Sequence, residues 1–165
     1  MNKAVWLLVI ECLMLIWLPC PIEGRVTRLV VESSTPYAGG VTFGDHGAFE
    51  RLTGTVYMEV DPANPLNAVI VNLDRAPRNE NGLVEFSAPF VIIKPVEPER
   101  GNGKIFYGIN NRGNNIEIQF QTFPVLPSGT SSDSGDGIIF RLGYTFVDAG
   151  WAGDIITTAT RLGAN

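Results

Sequence analysis

The sequence predicts a β-rich α/β domain, an antiparallel sheet in its first half and one βαβ unit in its second, preceded by a signal helix. Three observations carry this expectation. An apolar stretch opens the chain. Short β-prone runs alternate with Gly, Pro and Asn through the first hundred or so residues. Two strand-then-glycine segments, KIFYGINNRGNN (104–115) and GYTFVDAGWAGD (143–154), then follow with about thirty residues of chain between them.

Lys3 supplies a positive start, residues 4–18 are almost unbroken apolar, and residues 19–24 break the run, which is the layout of a secretory signal. A helix over that stretch covers about 22 Å, short of the roughly 30 Å hydrocarbon core, and Glu11 in its middle opposes stable insertion. The reading is a cleaved signal peptide over residues 1–24, cut before Arg25 with Ile22 and Gly24 at the inspected positions. Cys20 as a lipid-modified first residue is the alternative, disfavoured by Pro19 and Pro21 on either side. The expected destination is the periplasm or the medium, with membrane contact only in transit.

Both cysteines, Cys12 and Cys20, lie in this segment, so the mature chain has neither thiol nor disulfide and must be held by its core. Removal of residues 1–24 takes away Lys3, Glu11 and Glu23 and leaves 11 basic and 15 acidic side chains, a net charge of −4. The basic residues are scattered rather than striped, which excludes nucleic acid as a partner.

Four strands are expected in the first half: residues 25–32 (RVTRLVVE), 55–60 (TVYMEV), 68–73 (AVIVNL) and 90–96 (FVIIKPV). Alternation in the second sets Val56, Met58 and Val60 on one face and Thr55, Tyr57 and Glu59 on a wet one. The double-proline segment 61–67 is a turn, and Asn81-Gly82, flanked by Val84 and Phe86, is a hairpin signal. The serine-rich patch 127–137 is a polar loop, and no second-domain linker is visible.

In the second half, residues 104–109 and 143–147 read as parallel neighbours joined by a crossover. Residues 114–123 (NNIEIQFQTF) must then supply the helix: Ile116, Phe120 and Phe123 fit a helical stripe, although Ile116, Ile118 and Phe120 also fit a strand. With one crossover helix, the apolar runs 138–140 and 145–147, both read as strands, are expected to stay partly uncovered.

No catalytic residue is predicted. Ser131 has Gly129 before it but Asp133 where the second elbow glycine belongs, and the single histidine, His46, precedes every candidate serine and sits in a loop-like Gly-Asp-His-Gly. Asp133 and Asp136 lack the alternating acids of a calcium loop, so no metal is expected. Gly101-Asn102-Gly103-Lys104 is followed by Ile105 where a phosphate loop needs Ser or Thr, and Phe106 interrupts the dinucleotide pattern. No cofactor follows.

Taken in order, PYAGGVTFGDHGAFERLTGTVYMEVDP, NAVIVNLDRAPRN, GLVEFSAPFVIIKP, RGNGKIFYGINNRGN and GDGIIFRLGYTFVDAGWAGD resemble the exported bacterial alpha/beta hydrolase domain-containing proteins, over about residues 25–154. The resemblance implies that residues 25–165 are the amino-terminal, incomplete part of an α/β-hydrolase-like domain. The catalytic triad would then be encoded beyond Asn165, and a small ester-like substrate would be bound only by a complete family member. It further implies that Asn111, Arg112, Gly113 and Asn114 form an oxyanion loop, and that Trp151 and Asp154 border the pocket. A polar strand-to-helix turn with an Asn cap accounts equally for residues 110–115.

Three readings of function remain. The chain is the amino-terminal segment of a secreted, esterase-like α/β hydrolase, inactive alone for want of G-x-S-x-G and a usable catalytic histidine. Alternatively it is a stand-alone exported β-rich binding module that contacts partners through the Trp151 loop, or a non-functional truncated product.

Overall fold

The computed structural model describes residues 24–110, 112–113, 137–157 and 162–164. The signal segment, apart from Gly24, and the crossover helix expected over residues 114–123 lie outside the described residues. Among those described, no helix is long and apolar enough to cross a membrane. The chain divides into two compact units, one holding Val60–Val84 with the segment ending at Arg25, the other holding Val26–Glu59 and Glu85–Asn165.

Five strands form one mixed sheet: β1 (Gly24–Pro36), β2 (Phe49–Val60), β3 (Val84–Pro95), β4 (Ile105–Gly108) and β5 (Thr145–Ala149), in the order β1-β2-β3-β5-β4. Side-chain bonds join Thr27, early in β1, to the Tyr57 carbonyl, late in β2, and Ser34, late in β1, to Glu50, early in β2, so the two strands run antiparallel. Glu50 Oε2 accepts from Ser34 at 2.7 Å and Oε1 from Lys94 of β3 at 2.5 Å, so one carboxylate ties three strands together. The Lys94 hydrogen bond, then the Ser34 one, hold that carboxyl below the usual range. At Gly54 of β2, a Cβ would lie 1.9 Å from the Val30 carbonyl oxygen, so only glycine lets β1 pass there.

β5 enters between β3 and β4. It pairs antiparallel with β3, with Phe90 opposite Ala149, and parallel with β4, with Gly108 opposite Asp148. The expected parallel neighbours of the second half are therefore hydrogen-bonded to each other. β3, flanked on both sides, is buried on both faces at Phe90, Val91 and Ile93.

Four sequence expectations are corrected. Residues 68–73 are not a strand but part of two 3-10 turns, Pro65–Val69 and Leu73–Arg75. Asn64 accepts from Leu66 N–H at 3.0 Å, Pro65 sets the first helical φ, and Asn72 is left-handed at φ 61°. Only Leu73 of the run is buried, with Val60 and Val84. The Asn81-Gly82 turn forms, with Asn79 Oδ1 accepting from the Asn81 and Leu83 N–H groups, but it leads into β3 and joins no hairpin. Residues 138–140 belong to a helical turn, α1 (Ile138–Arg141), bounded by left-handed Gly137 and Gly143. Glu59, placed on the wet face, is 7 % exposed.

The largest core cluster packs α1 against the loop before β2. Tyr37, Phe43, Phe49 and Phe140 form a ring cluster with the Phe140 centroid 4.9, 5.2 and 5.2 Å from Tyr37, Phe43 and Phe49. Val91, Ile93, Ile139 and Phe146 complete it; Phe140 and Phe146 are fully covered, while Ile138 in the same turn as Phe140 stays 43 % exposed. Replacing Phe140 with Ala is expected to lower stability by about 3–5 kcal/mol, because three rings lose their shared neighbour. Urea unfolding followed by tryptophan fluorescence checks it; a loss below about 1 kcal/mol would show that the cluster does not hold α1.

Candidate functional site

The carboxyl ends of β4 and β5 lie side by side because the strands are parallel and in register, so the residues that follow each must meet. They do so around Asn110, which is 1 % exposed. Its Nδ2 donates to Asp148 Oδ1 and to the Ala149 carbonyl, both at 2.8 Å, and its Oδ1 accepts from Gly113 N–H at 2.7 Å. Its main-chain carbonyl accepts from Trp151 Nε1 at 2.7 Å. At the outer edge, Arg112 Nη2 meets Asp154 Oδ2 at 2.6 Å.

The structure thus brings Arg112, Gly113, Trp151 and Asp154 to one rim, while Asn111 and Asn114 lie outside the described residues. Gly113 N–H, a candidate oxyanion donor, is committed to Asn110 within its own loop. Gly113 has φ 79°, and a Cβ on it would stand 2.6 Å from the Leu162 carbonyl oxygen. The close approach it permits is that of the chain at Leu162, whose N–H donates to the Gly113 carbonyl at 2.9 Å. Trp151 keeps 57 % of its surface exposed although its N–H is tied inward.

Sequence reasoning did not single out Asn110 and Asp148, the two most buried polar side chains of the cluster. The available signal was an acid inside the apolar run TFVDAG, on a strand flanked by neighbours on both sides. Asp148 is wholly buried, and its Oδ2 has no hydrogen-bond partner among the described residues. Burial pushes its carboxyl above the ordinary aspartate range, against the opposing hydrogen bonds from Asn110 and the Ala149 backbone.

His46 serves packing. Its Nδ1 contacts the Arg100 carbonyl, Arg100 donates to the Asp45 carbonyl at 2.8 and 3.1 Å, and the ring fills the space beside Gly143. Among the described residues, no three His, Cys, Asp or Glu side chains gather closely enough to hold a metal. An open cleft of about 380 Å³ lies on the first three strands between Arg28, Tyr57 and Phe86 and shares no residue with the rim. Comparison of the chain with family models, with curated proteins and with solved structures gives no match in any of the three.

Two outcomes are expected at the buried pair. Asn110→Ala strands Asp148 Oδ1 and Gly113 N–H together and is expected to cost about 2–4 kcal/mol in urea unfolding, where a surface polar residue would cost under about 0.5 kcal/mol. Asp148, with its folded pKa raised, contributes stability that is fully present below its unfolded pKa and lost as pH rises through the folded value. Stability relative to Asp148→Asn should therefore shift against the parent as pH rises above the ordinary aspartate range of about 4. A gap that moves the other way, or not at all, would show that the carboxyl ionises as freely in the fold as outside it.

Proposed function

We propose that this chain is the amino-terminal segment of an exported, esterase-like α/β hydrolase, inactive alone, whose nucleophile, acid and histidine belong to sequence encoded beyond Asn165. The observation that carries this reading is the meeting of the loops after β4 and β5. In open α/β sheets, ligands bind outside the carboxyl ends of the strands where the strand order reverses. β4 runs at the sheet edge and β5 returns inside it, so the reversal lies between them, where Asn110 joins the two loops.

Acyl-transfer hydrolases of this kind use a backbone N–H from the loop after an early strand, with one beside the nucleophile, to stabilise the tetrahedral oxyanion. The loop after β4 suits that task in its rigidity, since its two positive-φ residues, Arg112 and Gly113, are fixed by Asn110, Asp154 and Leu162. With Gly113 N–H committed, the donor falls to another group of residues 111–114. Trp151 and Asp154 stand across from it as the pocket border, and the substrate class is a small-molecule ester.

The test compares the chain as given with a version extended by the sequence encoded downstream, both assayed on a small aryl ester. The chain alone is expected to give no turnover above background, and the extended protein to hydrolyse the ester. Gly113→Ala in the extended protein should lower kcat roughly tenfold or more while the protein stays folded by circular dichroism. A downstream frame without a G-x-S-x-G strand-turn-helix, together with an inactive extended protein, would overturn the reading.

A further inference from the structure

Among the described residues the outer strand β1 has one neighbour, β2, so its other row of backbone N–H and C=O groups faces away from the described sheet. From Val26 to Ser34 every residue except Val30 is exposed, including Val26, Leu29 and Val31 at 60, 50 and 49 %. Natural edge strands of this length are usually shortened, bulged or charged against self-association. β1 instead carries charges arranged in opposition: Arg28 stands two residues before Val30, and Glu32 two after it. Among the described residues neither has an ion-pair partner; the Arg28 guanidinium lies 3.9 Å over the Tyr57 ring, and Glu32 accepts from Thr55 Oγ1 at 2.8 Å.

We propose that β1 is a dimer interface on which a second copy of the chain adds its own β1, antiparallel, about a two-fold axis through Val30. Strand directly opposite strand, this register places Arg28 against the partner's Glu32 twice, and Leu29 against the partner's Val31 twice. Thr27 then faces the partner's Ser33, and Val26 the partner's Ser34. Residues directly opposite in an antiparallel pair share a face, so each ion pair and each apolar pair is in contact. Registers centred on Arg28 or Glu32 set like charges opposite each other and are disfavoured. The two-fold closes the assembly, leaves neither β1 edge free and joins the two five-stranded sheets into one. The proposal goes beyond the hydrolase reading and stands without it.

A single cysteine tests the axis. In the full chain with Cys12 and Cys20 replaced by Ser, Val30→Cys sits opposite itself, at the roughly 5 Å Cα separation a disulfide accepts. It is expected to form a covalent dimer on mild oxidation. Val26→Cys, about 27 Å from its own copy in this register, is not. Should Val30→Cys fail to fold, a mixture of Leu29→Cys and Val31→Cys chains is expected to cross-link preferentially as the mixed pair. In sedimentation equilibrium, Arg28→Glu should raise the dimer dissociation constant roughly tenfold or more, and Arg28→Glu combined with Glu32→Arg should restore it. A folded monomer at every concentration, equal cross-linking at positions 26 and 30, or an Arg28→Glu chain that dimerises like its parent would overturn the proposal.

Discussion

The Asn110 carboxamide is the constraint on which the second half of the chain depends. A parallel pair of strands has slanted, slightly weaker hydrogen bonds than an antiparallel one, and β4 contributes only Ile105–Gly108 to it. On its outer side β4 is open, with Ile105 and Tyr107 largely exposed. The pairing is therefore short and one-sided. Asn110 adds three side-chain bonds and one main-chain bond just past its end, reaching Asp148, Ala149, Gly113 and Trp151. Each net bond contributes about 1 kcal/mol, but leaving such buried groups unpaired costs more than that, so the carboxamide acts chiefly by making every other arrangement expensive.

A second constraint works on the same face of the sheet, where Phe146 stands two residues before Asp148 on β5. The loop that carries Tyr37, Phe43 and His46 is largely exposed and has hardly any regular structure, yet Tyr37 and Phe43 are buried where their rings and that of Phe49 close on Phe140. Left-handed Ala38 and Gly39 let the backbone turn back on itself to bring Tyr37 inward. Arg100 then donates to the loop's Asp45 carbonyl, while His46 Nδ1 contacts the Arg100 carbonyl in return. A histidine that looks idle in the sequence is thus held against the Arg100 and Gly143 segments.

Much of this was legible in the sequence for a simple reason. Strands buried on both sides need continuous apolar runs, and residues 90–96 and 143–147 have them, so β3 and β5 were visible, as was the parallel relation of β4 to β5. The rim residues followed because small and polar residues after such strands must lie at their carboxyl ends. Residues 68–73 misled because Ala, Val and Ile alternate with nothing to pack against; Val69 and Val71 are more than four-fifths exposed, and Asn72 in the left-handed region ends any strand. Ile138–Phe140 has a strand's composition but a helical turn's punctuation, with a positive-φ glycine at each side. Asp148 left one local trace, an acid inside an apolar run, but the partner that makes it a buried pair, Asn110, is set by three-dimensional neighbours that no local pattern encodes.

The rim's polar groups are bonded to one another, and that limits what it can do by itself. Asn110 is used on both side-chain polar atoms and its carbonyl, Gly113 N–H is taken, and Arg112 is paired with Asp154. What faces outward is the indole of Trp151, fixed in orientation by its own N–H and more than half exposed. A rigid apolar plane beside an ion pair positions a ligand but moves no proton and attacks no carbon. In the hydrolase reading these loops are the part of an active site that holds and orients, and fixed dipoles serve a transition state only when they need not reorganise at the moment of reaction. The dense bonding around Asn110 meets that requirement before any nucleophile is present, which separates the building of the cradle from the chemistry done in it.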